Sequence, residues 1–86
     1  MPTISRFYGI LIQMYFADHA PPHFHARYAE FEAVIDIRTL EILQGQLPAR
    51  AVGLVLEWAQ QYRKELMEDW ELCVQNQIPK TISPLN

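Results

Sequence analysis

Cysteine and long apolar runs are scarce in this sequence. Its one cysteine, Cys73, excludes an internal disulfide and a zinc site built from several thiolates. The longest apolar run, from Tyr8 to Met14, is interrupted by Gln13 and is far shorter than the roughly 20 residues of a membrane span. The sequence opens without a basic and apolar leader. We therefore expect a soluble, cytoplasmic protein that makes no membrane contact.

A net positive charge is also missing. The 86 residues carry a formal net charge of −3, which disfavours a protein that binds nucleic acid through bulk electrostatics. Half of the residues are apolar and a fifth are charged, as is typical of a globular domain. From the length we expect a single domain over residues 1–86 with one modest core.

Hydrophobic patterning divides the chain near Pro48. Residues 1–47 predict an antiparallel β-meander of three to four strands, and residues 48–76 predict a helical part. The strands are predicted as one long strand over residues 6–16, then residues 23–28, residues 31–37, and a weaker strand over residues 40–44 that Gly45 ends. Residues 77–86 predict an extended tail. The expected fold class is α+β, with the meander packed on one long or broken C-terminal helix.

One apolar stripe runs along the predicted helix. A continuous helix over residues 48–75 would be about 42 Å long, whereas six-residue strands span only about 20 Å. We therefore expect either a break near Tyr62 or a far half, residues 63–75, that packs on a partner. The candidate partner-binding residues of that half are Leu66, Trp70 and Cys73.

All three histidines fall within seven positions, at His19, His23 and His25. If Ala29 and Glu30 form a two-residue turn, Arg27 lies opposite Glu32, His25 opposite Val34 and His23 opposite Asp36. This register places His23, His25, Arg27, Glu32 and Asp36 on one polar face of the sheet, beside the loop that holds Asp18 and His19.

Three interpretations of this polar face remain open. It is a solvated surface whose charges pair across strands, or it is a site for a divalent transition metal held by His23 and His25 with His19 or Asp36 as a third ligand. The third interpretation involves no metal: His23 and His25 exchange protons with a phosphodiester that Arg27 holds, as in a ribonuclease.

Several segments carry a resemblance to a known family. They are MPTISRFYGI at residues 1–10, DHAPPHFH at residues 18–25, LVLEW at residues 54–58, DWEL at residues 69–72 and PKTISPL at residues 79–85. With these segments the chain resembles the small prokaryotic proteins of domain-of-unknown-function family 4160. The resemblance implies a hallmark segment that includes Asp18, His19, Pro22, His23 and His25.

The resemblance also implies a partner, because such proteins are typically encoded beside another small protein. We therefore expect a partner-binding component of a two-gene, toxin–antitoxin-like module with a histidine-rich site. The partner would be the neighbouring gene product or a second copy of the chain, and RNA remains open as a further partner. Two alternatives are a ribonuclease-like or metal-dependent phosphodiesterase that uses the histidine cluster, and a metal-stabilised binding module without catalysis.

Overall fold

A computed structural model describes residues 2–86 and contains an antiparallel sheet followed by two helices. The strands are β1 (Thr3–Phe7), β2 (Ile10–Gln13), β3 (His23–Tyr28), β4 (Phe31–Asp36) and β5 (Ile42–Gln46), and the helices are α1 (Ala49–Gln61) and α2 (Arg63–Val74). The order in the sheet is β1-β2-β3-β4-β5, which is a meander. The predicted α+β class is confirmed, with five strands and two helices in place of three to four strands and one helix.

The first hairpin shows that the single strand predicted over residues 6–16 is wrong. Phe7 pairs with Ile10, so the chain reverses direction across Tyr8 and Gly9. Both turn residues have positive φ, 51° for Tyr8 and 80° for Gly9. Two positive φ values in a two-residue loop give the type I′ geometry whose twist matches a hairpin. Tyr8 hides this turn from sequence analysis, since a tyrosine rarely adopts positive φ.

The second hairpin has the predicted register. Tyr28 pairs with Phe31, Arg27 with Glu32 and His23 with Asp36. Ala29 begins the turn with φ at 53°. The hairpin therefore places the odd-numbered residues of β3 on one face, while Phe24 and Ala26 are fully buried on the other.

Strand β5 differs from the fourth strand predicted over residues 40–44. It runs to Gln46, and Gly45 lies within it instead of ending it. Gly45 has φ at 76°, and a Cβ there would collide with the backbone carbonyl of Glu32. The register shifts nearby, because Val34 pairs with Gln44 while Ile35 pairs with Ile42. Leu43 is therefore the extra residue of a β-bulge.

The helical part breaks at Tyr62, which is the first of the two alternatives expected from the sequence. Tyr62 leaves helical geometry with φ at −119° and ψ at 25°. The break allows α2 to fold back, so that Leu66 and Cys73 join Trp58 of α1 in the core beneath the sheet. The overhanging far half is therefore absent. Neither α1 nor α2, the helices of residues 2–86, is long and apolar enough to cross a membrane.

The C-terminal tail is extended and packed. The Ile82 N–H donates to the Ile4 carbonyl at 2.7 Å, along the edge of β1. The Trp58 Nε1–H donates to the Ser83 carbonyl at 2.8 Å, and Ile82 and Leu85 are buried in the core. The tail thus forms a hydrogen bond with the β1 edge of the sheet, whereas every residue of β5 at the other edge is exposed.

Candidate metal centre

Three side chains converge at the start of β3. The Nε2 atom of His23 lies 2.9 Å from Oδ2 of Asp18, and the Nε2 atom of His25 lies 3.8 Å from the same oxygen. One nitrogen or oxygen atom from each of these residues lies within 4.8 Å of the other two. We call Asp18, His23 and His25 the triad. It presents two imidazole nitrogens and one carboxylate oxygen to a common point.

Local structure explains why the triad forms. His23 and His25 are two residues apart on a strand, so their side chains leave the same face. Asp18 comes from the connection between β2 and β3, where the Ala17 N–H donates to the Cys73 carbonyl at 2.9 Å and ties the loop to the end of α2. The His19 N–H donates to Oδ1 of Asp18 at 2.8 Å, which leaves Oδ2 to face the imidazoles.

Hydrogen bonds on the far side of each ring orient the two histidines. Nδ1 of His23 lies 2.7 Å from the Pro21 carbonyl, and Nδ1 of His25 lies 3.2 Å from Oε2 of Glu32. A carbonyl or carboxylate oxygen only accepts, so each Nδ1 carries the proton. A neutral imidazole then presents a lone pair at Nε2, toward Asp18. Nε2 of His25 is buried and makes no hydrogen bond.

This arrangement requires a positive charge. With a proton on each Nδ1, two lone pairs and one carboxylate oxygen face one another, which is unfavourable unless a cation lies among them. Protonation of the rings or a bound metal ion would supply that cation. Burial raises the pKa of Asp18, but the hydrogen bond from the His19 N–H and the interactions with His23 and His25 together outweigh burial and hold this pKa below its usual value. The carboxylate is therefore ionised at neutral pH.

Aromatic rings support both histidines. The His23 ring lies 5.1 Å from the Trp70 ring between centroids, and the His25 ring meets Tyr15 edge-on at 4.2 Å. Trp70 is only 6% exposed, and Leu66 and Cys73 are fully buried. The three residues predicted to bind a partner therefore face the chain's own core, and Trp70 packs against a triad residue instead of forming an exposed anchor.

A cavity of about 390 Å³ opens beside the triad. The residues that line it are Tyr15, Asp18, His19, Ala20, Pro21, His23, His25, Val34, Leu43 and Gln44. It spans the outer face of β3, β4 and β5. The triad is therefore reached from solvent on one side.

The other predicted site residues lie outside the triad. His19 is exposed and lines the cavity. Oδ1 of Asp36 accepts the N–H groups of Arg38 at 2.7 Å and Thr39 at 3.2 Å, so this carboxylate closes the turn after β4. Arg27 is exposed on the same face of β3 but does not line the cavity. The structure therefore assembles only two of the four predicted metal ligands.

Two residues of the site, Asp18 and Glu32, are not predicted from the sequence to take part in it. The sequence places Asp18 in the neighbouring loop, and no spacing or periodicity there signals a ligand role. Glu32 was expected to pair with Arg27 across the strands. The register is the expected one, but Glu32 bonds to His25 instead.

Comparison with known proteins identifies the family and nothing beyond it. A family model described as a domain of unknown function (DUF4160) matches residues 9–71. No curated protein and no solved structure matches the chain. The matched range covers most of the chain and includes the whole triad and its cavity. The chain therefore belongs to the DUF4160 family.

Proposed function

We propose that the protein is a metal-stabilised binding module that holds one divalent transition metal ion at the triad. The ligands would be Nε2 of His23, Nε2 of His25 and Oδ2 of Asp18. The observation that carries this proposal is the orientation of both imidazoles, each with Nδ1 held by an acceptor and Nε2 turned toward Asp18. Metal-binding histidines usually have such a partner on the other nitrogen, because it fixes the tautomer and the ring.

The chemistry of the ligands narrows the choice of metal. Imidazole nitrogens suit zinc, iron, copper and nickel, and two histidines with one carboxylate are a recurrent set for iron and zinc. Three protein ligands leave at least one coordination position open, and the cavity supplies the space for it. These features favour a site that exchanges an external ligand over a closed structural site.

Metal binding would also stabilise the fold. Asp18 belongs to the connection after β2, whereas His23 and His25 belong to β3. An ion shared among them joins the loop to the sheet, and an ion bound only by the folded chain stabilises it by mass action. Hydrolysis of a phosphodiester at this centre stays a prediction. We do not include it in the proposal, because Arg27, the residue expected to hold the phosphate, does not line the cavity.

Titration of the purified, untagged protein tests the proposal. After treatment with a chelator, Zn²⁺ and Co²⁺ are titrated in separate calorimetry runs. We expect one ion per chain, with binding lost in His25→Ala and Asp18→Asn. His19→Ala is the matched control, because it removes a histidine of the same loop that is outside the triad, and we expect it to keep full affinity.

Two outcomes would contradict the proposal. Absence of binding would mean that the triad is a hydrogen-bonded cluster that holds no metal ion. Equal loss of binding in His19→Ala and His25→Ala would mean that the ion attaches loosely to the histidine-rich loop and not to the triad.

We further propose that the chain works in the cytoplasm with a small partner protein, as the gene pairing implied by the family resemblance suggests, in a toxin–antitoxin-like module. An exposed apolar surface supports a partner. Phe16 is 41% exposed, and Val74 at the end of α2 is also exposed. The hydrogen bond from the Ala17 N–H to the Cys73 carbonyl joins the loop of Phe16 to the end of α2. Co-expression with the neighbouring gene product tests this idea. Failure of Phe16→Asp to weaken the recovered complex would exclude this surface.

A further inference from the structure

The β-bulge in β5 gives the cavity an apolar wall. In a regular strand Leu43 and Gln44 would point to opposite faces of the sheet. The register shift between Val34 and Ile35 makes Leu43 an extra residue, and both Leu43 and Gln44 line the cavity beside the triad. Bulges often redirect a side chain next to a functional site. Here the bulge brings an exposed leucine to a cavity that also contains two imidazoles.

The floor of the cavity changes from polar to apolar away from the triad. His25 pairs with Val34 across β3 and β4, and Val34 pairs with Gln44 across β4 and β5. A ligand that begins at the triad would therefore pass over Val34 and reach Leu43 and Gln44. Such a ligand needs a polar head at the metal and an apolar tail.

The net charge of the metal site limits the charge of the ligand's head group. A divalent ion with neutral imidazoles and the Asp18 carboxylate has a net charge of +1, which one negative charge neutralises. Glu32 lies on the far side of His25, bonded to Nδ1. Among residues 2–86, no lysine or arginine lines the cavity, so a polyanion such as a nucleotide would lack counter-charges beyond the metal.

We propose that the metal-loaded cavity binds a short-chain aliphatic monocarboxylate, with its carboxylate on the ion and its chain against Val34 and Leu43. The inference rests on the proposed metal site. Carboxylate oxygens bind zinc alongside imidazole nitrogens, so a ligand carboxylate suits the same ion. The cavity of about 390 Å³ has room for such a small molecule beside the triad.

A chain-length series tests this inference on the full chain. The Co²⁺-loaded protein is titrated with acetate, propionate, butyrate and valerate, and the visible absorption of the ion reports binding. We expect affinity to rise about fourfold for each added CH₂ group that contacts the apolar wall. Leu43→Ala should weaken butyrate about fivefold and leave acetate unchanged, since only the longer chain reaches residue 43.

The control variant is Ile42→Ala, which removes an exposed side chain from the same strand that does not line the cavity. It should change neither the metal affinity nor the butyrate affinity. Affinity independent of chain length, or tighter binding of dimethyl phosphate than of butyrate, would overturn the carboxylate inference while leaving the metal site intact. A protein that takes up no Co²⁺ would instead overturn the proposed function itself.

Discussion

Two carboxylates lie in opposite environments: Asp18 is in the loop bonded to the end of α2, and Asp69 is within α2. Oδ2 of Asp18 lies within 4 Å of two imidazoles and faces an open cavity. Asp69 is 2% exposed, its Oδ1 accepts the Lys80 N–H at 2.9 Å, and its Oδ2 is buried without a hydrogen bond. Burial raises the pKa of Asp69, and the bond from Lys80 only partly opposes this. The pKa of Asp18, in contrast, is lowered.

This difference in environment and pKa distinguishes a residue of a functional site from a residue with a structural role. The groups around Asp18 favour the ionised form of its carboxyl group, so this carboxylate is suited to hold a cation. Asp69 accepts one backbone N–H from the tail. Within residues 2–86, it forms no ion pair with a cationic side chain. We conclude that Asp69 fixes the tail against α2, whereas Asp18 belongs to the functional centre.

Metal addition should produce the largest effect. At a free metal concentration of about 100 times Kd, binding adds about 2.7 kcal/mol to the free energy of unfolding, which raises Tm by on the order of 10 °C in a chain of this size. Asp18→Asn should abolish this rise, and Asp69→Asn should keep it. Thermal melts with Zn²⁺ and with excess chelator measure both. Equal responses of the two variants would show that the carboxylates do not differ in the proposed way.

Glu32→Gln should have the next largest effect, on metal affinity alone. The glutamine oxygen still accepts the Nδ1–H of His25, but the negative charge that makes the imidazole more basic is gone. We expect about a tenfold increase in Kd for Zn²⁺ by calorimetry. Glu30→Gln in the neighbouring turn removes an equal charge without touching the triad and should leave Kd unchanged. An unchanged Kd in Glu32→Gln would mean that this hydrogen bond does not tune the site.

The sequence predicts where the site is better than which residues form it. His23 and His25 share a face because strands have a period of two, and the mismatch in length between helix and strands predicts the break at Tyr62. Asp18 lies in a loop, where no periodicity says which side chain returns to the sheet. Tyr8 breaks the strand predicted over residues 6–16 by adopting positive φ, which its residue type does not signal.

Asp69→Asn should stabilise the protein at neutral pH. A raised pKa in the folded state means that the carboxyl contributes most below its unfolded pKa, and that this contribution is lost as pH rises through the folded pKa. Asparagine keeps the oxygen that accepts the Lys80 N–H and removes the buried charge, although its amide stays unpaired. We expect a gain of about 1 kcal/mol at pH 7 that disappears toward pH 3. Urea unfolding across this range measures it, and a loss of stability at pH 7 would contradict it.

Asp18→Asn should show the opposite pH dependence in the chelator-treated protein. The lowered pKa of Asp18 means that its contribution is present above the unfolded pKa and is lost as pH falls through the folded pKa. The variant should therefore be less stable than the parent by about 1 kcal/mol near pH 6, and the difference should shrink as the pH falls through the folded pKa of Asp18. Urea unfolding of both proteins gives this difference directly. Equal stability at pH 6 would mean that the imidazoles stabilise Asp18 only when a metal ion lies between them, and the triad would then be organised by the ion and not by the apo fold.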